Sequence, residues 1–272
     1  MKVLIAVDME GISGVVDRSH VDRTTAEYQR FRKLMTEDVN AAIRGAHKAG
    51  ADEIVVADGH GGARNILLEE LEPLARLNSG SRAPMQMLQG IEKNVDAVLL
   101  IGYHAMHGTQ DAILSHTMSS AKIGNLWIND RVTGEIGLNA GICGFYNVPV
   151  LMISGDQTAC AEAEQFIPGI EKAVVKIANS RTAAELMPLK ESQALIEATA
   201  EKAVKRFTSG TAPKPYVVST PVQVKIEFFH AALADSASLL PGATRLDGRT
   251  VAFETSNMLE AGFTFGAAVS VA

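Results

Sequence analysis

KVLIAVDMEG, residues 2–11, opens with five consecutive apolar residues, Val3 to Val7, and then sets two carboxylates, Asp8 and Glu10, just beyond them. Such a run reads as a strand buried on both faces, the kind that builds parallel sheets. Residues two apart on a strand point to the same side, about 6.6 Å apart, so Asp8 and Glu10 are expected to project together from the strand's end. Unpaired, the two charges would repel and one would be driven toward its protonated form. A cation between them removes the conflict; exposure of both at a strand-to-loop junction removes it equally well.

The same alternation of apolar strand and amphipathic helix continues outward from this stretch. AEYQRFRKLMTEDVNAAIRGAHKAG carries Phe31, Leu34, Met35, Val39, Ala42, Ile43 and Ala46 near helical spacing and stops at Gly50. DEIVVADGHGG is a strand entering a glycine-rich loop, NILLEELEP a short helix ended by Pro73, and NVDAVLLIGYH a third strand. VPVLMISGD, then helix QTACAEAEQFI, strand AVVKIANSR and a long helix over ELMPLKESQALIEATAEKAVKRF complete the pattern. It specifies an α/β fold, a mostly parallel, Rossmann-like sheet with helices on both faces. In such sheets, sites form beyond the carboxyl ends of the strands.

Between the third strand and VPVLMISGD the pattern changes. AILSHTMSS, NLWIND and RVTGE read as short strands with turns at Ile123–Gly124 and Asp130–Arg131, an antiparallel hairpin insertion near residues 105–134. SGTAPKP, residues 209–215, reads as a linker. The chain therefore divides into an α/β unit, 1–208, and a smaller α+β C-terminal unit, 209–272, able to pack with the insertion. In the latter, YVVSTPVQVKIEFF and TRLDGRTVAFET are strands and HAALADSASLL and NMLEAGFTFGAAV helices.

Composition narrows the function. With 25 Lys and Arg against 31 Asp and Glu, the net charge of −6 argues against a nucleic-acid partner. No apolar stretch reaches the roughly 20 residues of a membrane span, so no membrane partner is expected. The opening apolar run is broken by Asp8 and Glu10 with no small-residue cleavage site after it, so no secretion signal is expected either. The two cysteines, Cys143 and Cys160, lack zinc-ligand spacing and read as buried thiols of a cytoplasmic protein.

Three further residues join the opening pair. His60 follows the second strand in ADGHGG, His104 ends the third in LLIGYH, and Glu135 begins the helix EIGLNAGICGF. Singly, each has a plain explanation: a hydrogen-bonded histidine at a strand end, or an acid in a helix's first turn. Together, Asp8, Glu10, His60 and His104 belong to the carboxyl ends of three core strands, which parallel pairing brings into one crevice. Their nitrogen and oxygen donors, with Glu135, suit divalent metals. Five ligands exceed what one catalytic zinc takes and fit two metals sharing a bridging carboxylate. His116, in ILSHTMS, shares a strand face with Leu114 and Met118 by alternation; it reads either as a core histidine or as an acid/base or transition-state donor opposite the metals.

At these residues the sequence resembles the DppA-type D-aminopeptidases, a zinc metallopeptidase family. VDMEGISG, DGHG, LIGYHA, LSHTM, the GE-x-GLNA stretch and VPVLMISGD carry the likeness, and SRTAAELMP and IEFFHAALADSASLLPG extend it over essentially the whole chain. The resemblance implies two zinc ions on Asp8, Glu10, His60, His104 and Glu135, with Asp8 bridging, and His116 as the catalytic histidine. It also implies a homodecamer whose sites face an inner chamber.

The expected function is a metal-dependent aminopeptidase that hydrolyses short peptides bearing D-amino acids at the N-terminus, through water activated by two metals. Zinc is the preferred ion, although manganese or cobalt accepts the same ligands. A two-metal phosphoesterase or other amidohydrolase, a non-catalytic peptide-binding protein, and a metal site that only supports an oligomer stay open as alternatives. No basic clamp for a phosphate is evident near the expected site.

Overall fold

A computed structural model describes residues 1–81 and 85–272. In chain order its elements are β1 (Lys2–Val7), α1 (Arg18–Val21), α2 (Tyr28–Lys48), β2 (Glu53–Asp58), β3 (Ala75–Asn78), β4 (Ala97–Ile101), β5 (Ile123–Ile128), β6 (Arg131–Val132), α3 (Glu135–Phe145) and β7 (Val150–Asp156). There follow α4 (Gln157–Phe166), β8 (Glu171–Ser180), β9 (Ala183–Leu186), α5 (Leu189–Thr208), β10 (Val222–Phe228), α6 (Ala231–Ala237), β11 (Thr244–Arg245), β12 (Thr250–Thr255) and α7 (Met258–Val271).

The opening apolar run does what its pattern predicts. Val3, Ile5 and Val7 face a core shared with Met35, Val39 and Ile43 of α2 and Ile196 and Val204 of α5. Leu4 and Ala6 face the opposite core, with Ile136 of α3 and Ala159, Ala163 and Phe166 of α4. The sheet so covered runs β3-β2-β1-β4-β7-β8-β9. All its neighbouring strands are parallel except β8 and β9. The chain winds outward from β1 through β2 to β3, then crosses back to place β4 on the other side of β1. The carboxyl ends of β1 and β4 therefore flank a topological switch point, where a crevice opens.

A second, antiparallel sheet runs β11-β12-β10-β5-β6. Its core joins Val222, Val224 and Ile226 of β10 to Met258, Ala261 and Phe265 of α7. The hairpin β5–β6 from the insertion pairs here with β10. Helix α3 bridges the two layers: Ile136 and Ala140 pack under the first sheet, and Leu138 packs under the second.

Several elements differ from the sequence reading. AILSHTMSS is not a strand: Leu114 and Met118 have left-handed backbone, φ +48° and +57°, which extended alternation does not allow. Ile123 and Gly124 lie inside β5 rather than in a turn. The hairpin turn uses Asn129 and Asp130, φ +48° and +64°, the left-handed pair that matches strand twist. NILLEELEP forms only a 3₁₀ turn at Leu68–Glu70, too short a segment before Pro73 to propagate a helix. Glu185 and Leu186, read as helical, close edge strand β9, and α5 starts only after Pro188. Pairing of β10 begins at Val222 because Pro221 has no N–H to offer. Strand β3 went unforeseen, since ARLN carries almost no apolar pattern.

Candidate metal centre

β1 ends at Val7, so Asp8 and Glu10 do not share a strand face as expected. Instead a tight turn carries Glu10 back into the crevice. The Asp8 N–H donates to Ile101 O at 2.9 Å, as one more rung of the ladder to β4, and Gly11 N–H donates to Gly102 O at 2.7 Å. The two loops touch backbone to backbone: a Cβ at Gly102 would stand 2.3 Å from Asp8 O, and the φ of +74° there already demands glycine.

Lys176 locks this turn from below. Its side chain, wholly buried on β8, donates to the carbonyl oxygens of Glu10, Ile12 and Val15 at 2.7, 2.9 and 2.7 Å. The loop after β2 is locked as firmly. Asp58 accepts from Ile66 N–H at 3.0 Å and from the Asn65 amide at 2.7 Å, and Asn65 donates in turn to His60 O at 2.8 Å.

These loops bring together all five residues expected to bind metal. His60 Nδ1 stands 3.3 Å from Asp8 Oδ1 and 3.0 Å from Glu10 Oε2. His104 Nε2 lies 3.3 Å from Asp8 Oδ2 and 3.2 Å from Glu135 Oε1. Glu135 opens α3, and its Oε1 also accepts from Met118 N–H at 2.6 Å, tying the His116 loop to the cluster. Asp8, Glu10, His104 and Glu135 are each at most 5 % exposed.

The imidazoles are oriented by backbone. A carbonyl only accepts, so the ring nitrogen facing it carries hydrogen. His60 Nε2 faces Val21 O at 3.0 Å, His104 Nδ1 faces Ala105 O at 2.9 Å, and His116 Nδ1 faces Leu114 O at 2.9 Å. Every one of the three rings therefore turns its other nitrogen, the one left to take a proton or a metal, toward the carboxylates. Such locking of tautomer and rotation is the usual support of a ligating histidine.

Charge in the cluster is balanced by opposition. Burial disfavours ionised Asp8, yet His104 and His60 beside it hold its carboxyl well below the usual range. Burial and Asp8 both push Glu10 up, and the neighbouring imidazoles His60 and His116 bring it below its ordinary value. Conversely, burial disfavours imidazolium, but Glu10 and Asp8 raise His60, and Glu135 and Asp8 raise His104. The cluster holds an excess of donors for cations. Asp8 Oδ2, Glu10 Oε2 and His104 Nε2 are buried with no hydrogen-bond partner among the described residues. Two triads, Asp8–Glu10–His104 and His104–His116–Glu135, have ligand atoms within 4.8 Å of one another. This mixed nitrogen and oxygen set, sharing His104, fits divalent metals at one or two positions.

His116 is placed differently from the sequence reading. It is neither on a strand nor in the core, but half-buried and stacked on His104, with ring centroids 4.1 Å apart. Its Nε2 lies 3.7 Å from Glu135 Oε1. With Asp8, Glu10, His60 and Glu135 it lines a cavity of about 730 Å³, from which His104 is screened. Five residues went unflagged in the sequence. Lys176 was detectable as a charge interrupting the buried strand VVKIA. Glu162 was detectable on the apolar face of α4: it is buried, accepts from Met106 N–H at 2.7 Å, and is pushed up to about 7 by burial. The arginines of the cavity wall, Arg18, Arg23 and Arg181, carried no signal, and their presence weakens the expectation that no basic clamp for a phosphate stands near the site.

Comparison with known proteins gives one answer. The profile of the peptidase M55 family, described as D-aminopeptidase, matches residues 1–266. A curated D-aminopeptidase of Bacillus subtilis (strain 168) is 39% identical over 263 residues, covering 96% of this chain and 94% of its own. A solved structure described as Zn-dependent D-aminopeptidase DppA from Bacillus subtilis, a self-compartmentalizing protease, superposes with a TM-score of 0.95 at 36% identity, over 100% of this chain and 97% of that one.

Proposed function

The chain belongs to the D-aminopeptidase family, and from that premise we propose that Asp8, Glu10, His60, His104 and Glu135 hold two divalent metals, zinc by preference, in a metal-dependent aminopeptidase acting on short peptides with an N-terminal D-residue. The observation that carries the reading is the orientation of three imidazoles by backbone carbonyls, each presenting its free nitrogen to buried carboxylates. The zinc dependence of the solved relative supports the choice of metal.

When bound, the metals supply Lewis acidity, polarising the scissile carbonyl and providing hydroxide near neutral pH. The chain's residues do the remainder. Asp8, between His60 and His104, would hold both metals. Glu10 and Glu135, with the metals they would hold, form the floor that would receive the substrate's free amine, and this would account for an exopeptidase. His116, on the cavity wall with Nδ1 tied to Leu114 O, has Nε2 free to take up a proton and, once protonated, to donate to the developing oxyanion or pass that proton to the leaving amine. The buried walls of the crevice strengthen each of these interactions.

A self-compartmentalizing relative supports an oligomer, and the decamer with inward-facing sites is our reading of its size. Among the described residues no helix is long and apolar enough to cross a membrane. The two buried free thiols, Cys143 and Cys160, support a cytoplasmic setting. A phosphoesterase gains one point from the three arginines of the cavity wall, but family membership outweighs it. Release of alanine from D-Ala-D-Ala and L-Ala-L-Ala, with zinc and with a chelator, tests the reading. Metal-dependent cleavage of the D form is expected. Cleavage of the L form alone would overturn the substrate class, and binding without cleavage would favour a peptide receptor.

A further inference from the structure

The cavity over the metal centre has an acidic floor and a basic wall. Asp8, Glu10 and Glu135 lie below; Arg18, Arg23 and Arg181 stand around the opening, all exposed. Elsewhere the other arginines without a carboxylate partner among the described residues, Arg30, Arg32, Arg64, Arg76 and Arg131, do not line this cavity, whereas Arg44, Arg206, Arg245 and Arg249 are held by carboxylates. Among the described residues, Arg18, Arg23 and Arg181 have none within ion-pair distance. Asp22, an acid of the wall, accepts from Thr24 N–H at 2.9 Å and its hydroxyl at 2.7 Å, and these bonds, with the charges of Arg18 and Arg23, hold its carboxyl below the usual range.

Two of these arginines are tied to the centre through backbone. Val21 O accepts from His60 Nε2, and Arg23 follows two residues later. The guanidinium of Arg23 lies over Gly62, with Nη1 3.4 Å from where a Cβ would be. On the other side, Leu114 N–H donates to Arg181 O at 2.9 Å, and Leu114 O accepts from His116 Nδ1. Each arginine is thus one hydrogen-bonded segment away from an imidazole of the site. Their distance from the reacting centre is set by the fold, not by a free loop.

An aminopeptidase substrate is a zwitterion. Its amine goes to the floor formed by Glu10 and Glu135 with the metals they would hold, and an extended dipeptide places its terminal carboxylate about 7 Å away. A guanidinium fork is the side chain best matched to that carboxylate. Resting on the aminopeptidase reading, we propose that Arg23 and Arg181, assisted by Arg18, form a subsite for the free C-terminal carboxylate of the substrate, which selects di- and tripeptides over blocked or long ones.

The test compares D-Ala-D-Ala with its C-terminal amide, D-Ala-D-Ala-NH₂, on the metal-loaded protein and on Arg23→Ala and Arg181→Ala. The wild type is expected to prefer the free acid. The ratio of kcat/KM for acid over amide is expected to fall about tenfold in each variant, mostly through KM, with part of it regained in Arg23→Lys and Arg181→Lys. A purely structural loss lowers both substrates alike and keeps the ratio, and that result would overturn the subsite, as would equal wild-type cleavage of acid and amide. Cleavage of neither, with metal bound, would bring down the aminopeptidase reading itself and the subsite with it.

Discussion

The ammonium nitrogen of Lys176 stands 2.7 Å from the backbone carbonyl oxygen of Glu10, although 166 residues separate them in the chain. Burial pushes this amine down to about 7. Three carbonyls surround it, however, and a neutral amine has only two N–H bonds, so full occupancy of Glu10, Ile12 and Val15 demands the charged form. The turn that swings Glu10 into the crevice is held by this cation.

Lys176→Met should therefore do two things. Three buried carbonyls lose their donor, at about 1–3 kcal/mol each, so the melting temperature falls by several degrees or more. Glu10 also loses its fixed backbone, so half-saturation with zinc moves to higher concentration. Thermal unfolding and a zinc titration read the two effects separately; an unchanged zinc titration in a folded variant would free Glu10 from this dependence.

Asp8 faces both His60 and His104. Asp8→Asn keeps the shape and removes the charge. Metal content measured by elemental analysis should fall, and activity with it, by more than about 100-fold. A fully metallated, active variant would contradict the bridging role.

His116 belongs geometrically to one of the two ligand triads but also lines the cavity. Our assignment to proton transfer and oxyanion stabilisation predicts that His116→Ala lowers kcat by roughly 10²–10⁴-fold with metal content unchanged. Loss of metal in that variant would move His116 into the ligand set.

Glu162 titrates at about 7 rather than 4.5 because it is buried. The folded state binds its proton more tightly than the unfolded state does. Its contribution is therefore greatest below pH 4.5 and is lost as pH rises through about 7, at a cost of up to about 3 kcal/mol. Glu162→Gln should flatten the decline in stability between pH 5 and 8 relative to wild type, as followed by chemical denaturation of the metal-loaded protein. Parallel pH profiles for the two proteins would show that Glu162 does not carry the slope.

The main sheet was legible because its strands are buried on both faces, so runs such as VLIAV, IVVAD and AVLLI announce themselves. That the five residues expected to bind metal would come together was legible for a related reason. Each alone has a plain explanation, but four of them follow the ends of such runs and Glu135 opens a helix beside them, so the pattern pointed to one crevice. What escaped was local. The segment around His116 holds alternating apolar residues, yet left-handed Leu114 and Met118 break it into loop, a conformation no periodicity reveals. Edge strands β3 and β9 bury little and carry little pattern. Lys176 and the arginines act across long sequence separations, through contacts that only the folded chain creates.

The groups that set the tautomers of His60, His104 and His116 are the main-chain oxygens of Val21, Ala105 and Leu114. A main-chain oxygen survives every substitution at its own position. Because Val21, Ala105 and Leu114 are themselves buried, drift at those three sites is limited to side chains that fit the core, but within that limit the imidazoles keep their aim so long as the loop path is kept. Sequence divergence in this lineage should thus be tolerated in the shell around the metals more readily than in sites whose histidines are steadied by aspartates or glutamates. The centre is correspondingly hard to lose by gradual change, and loss should occur through the ligands themselves or through an insertion that reroutes a loop.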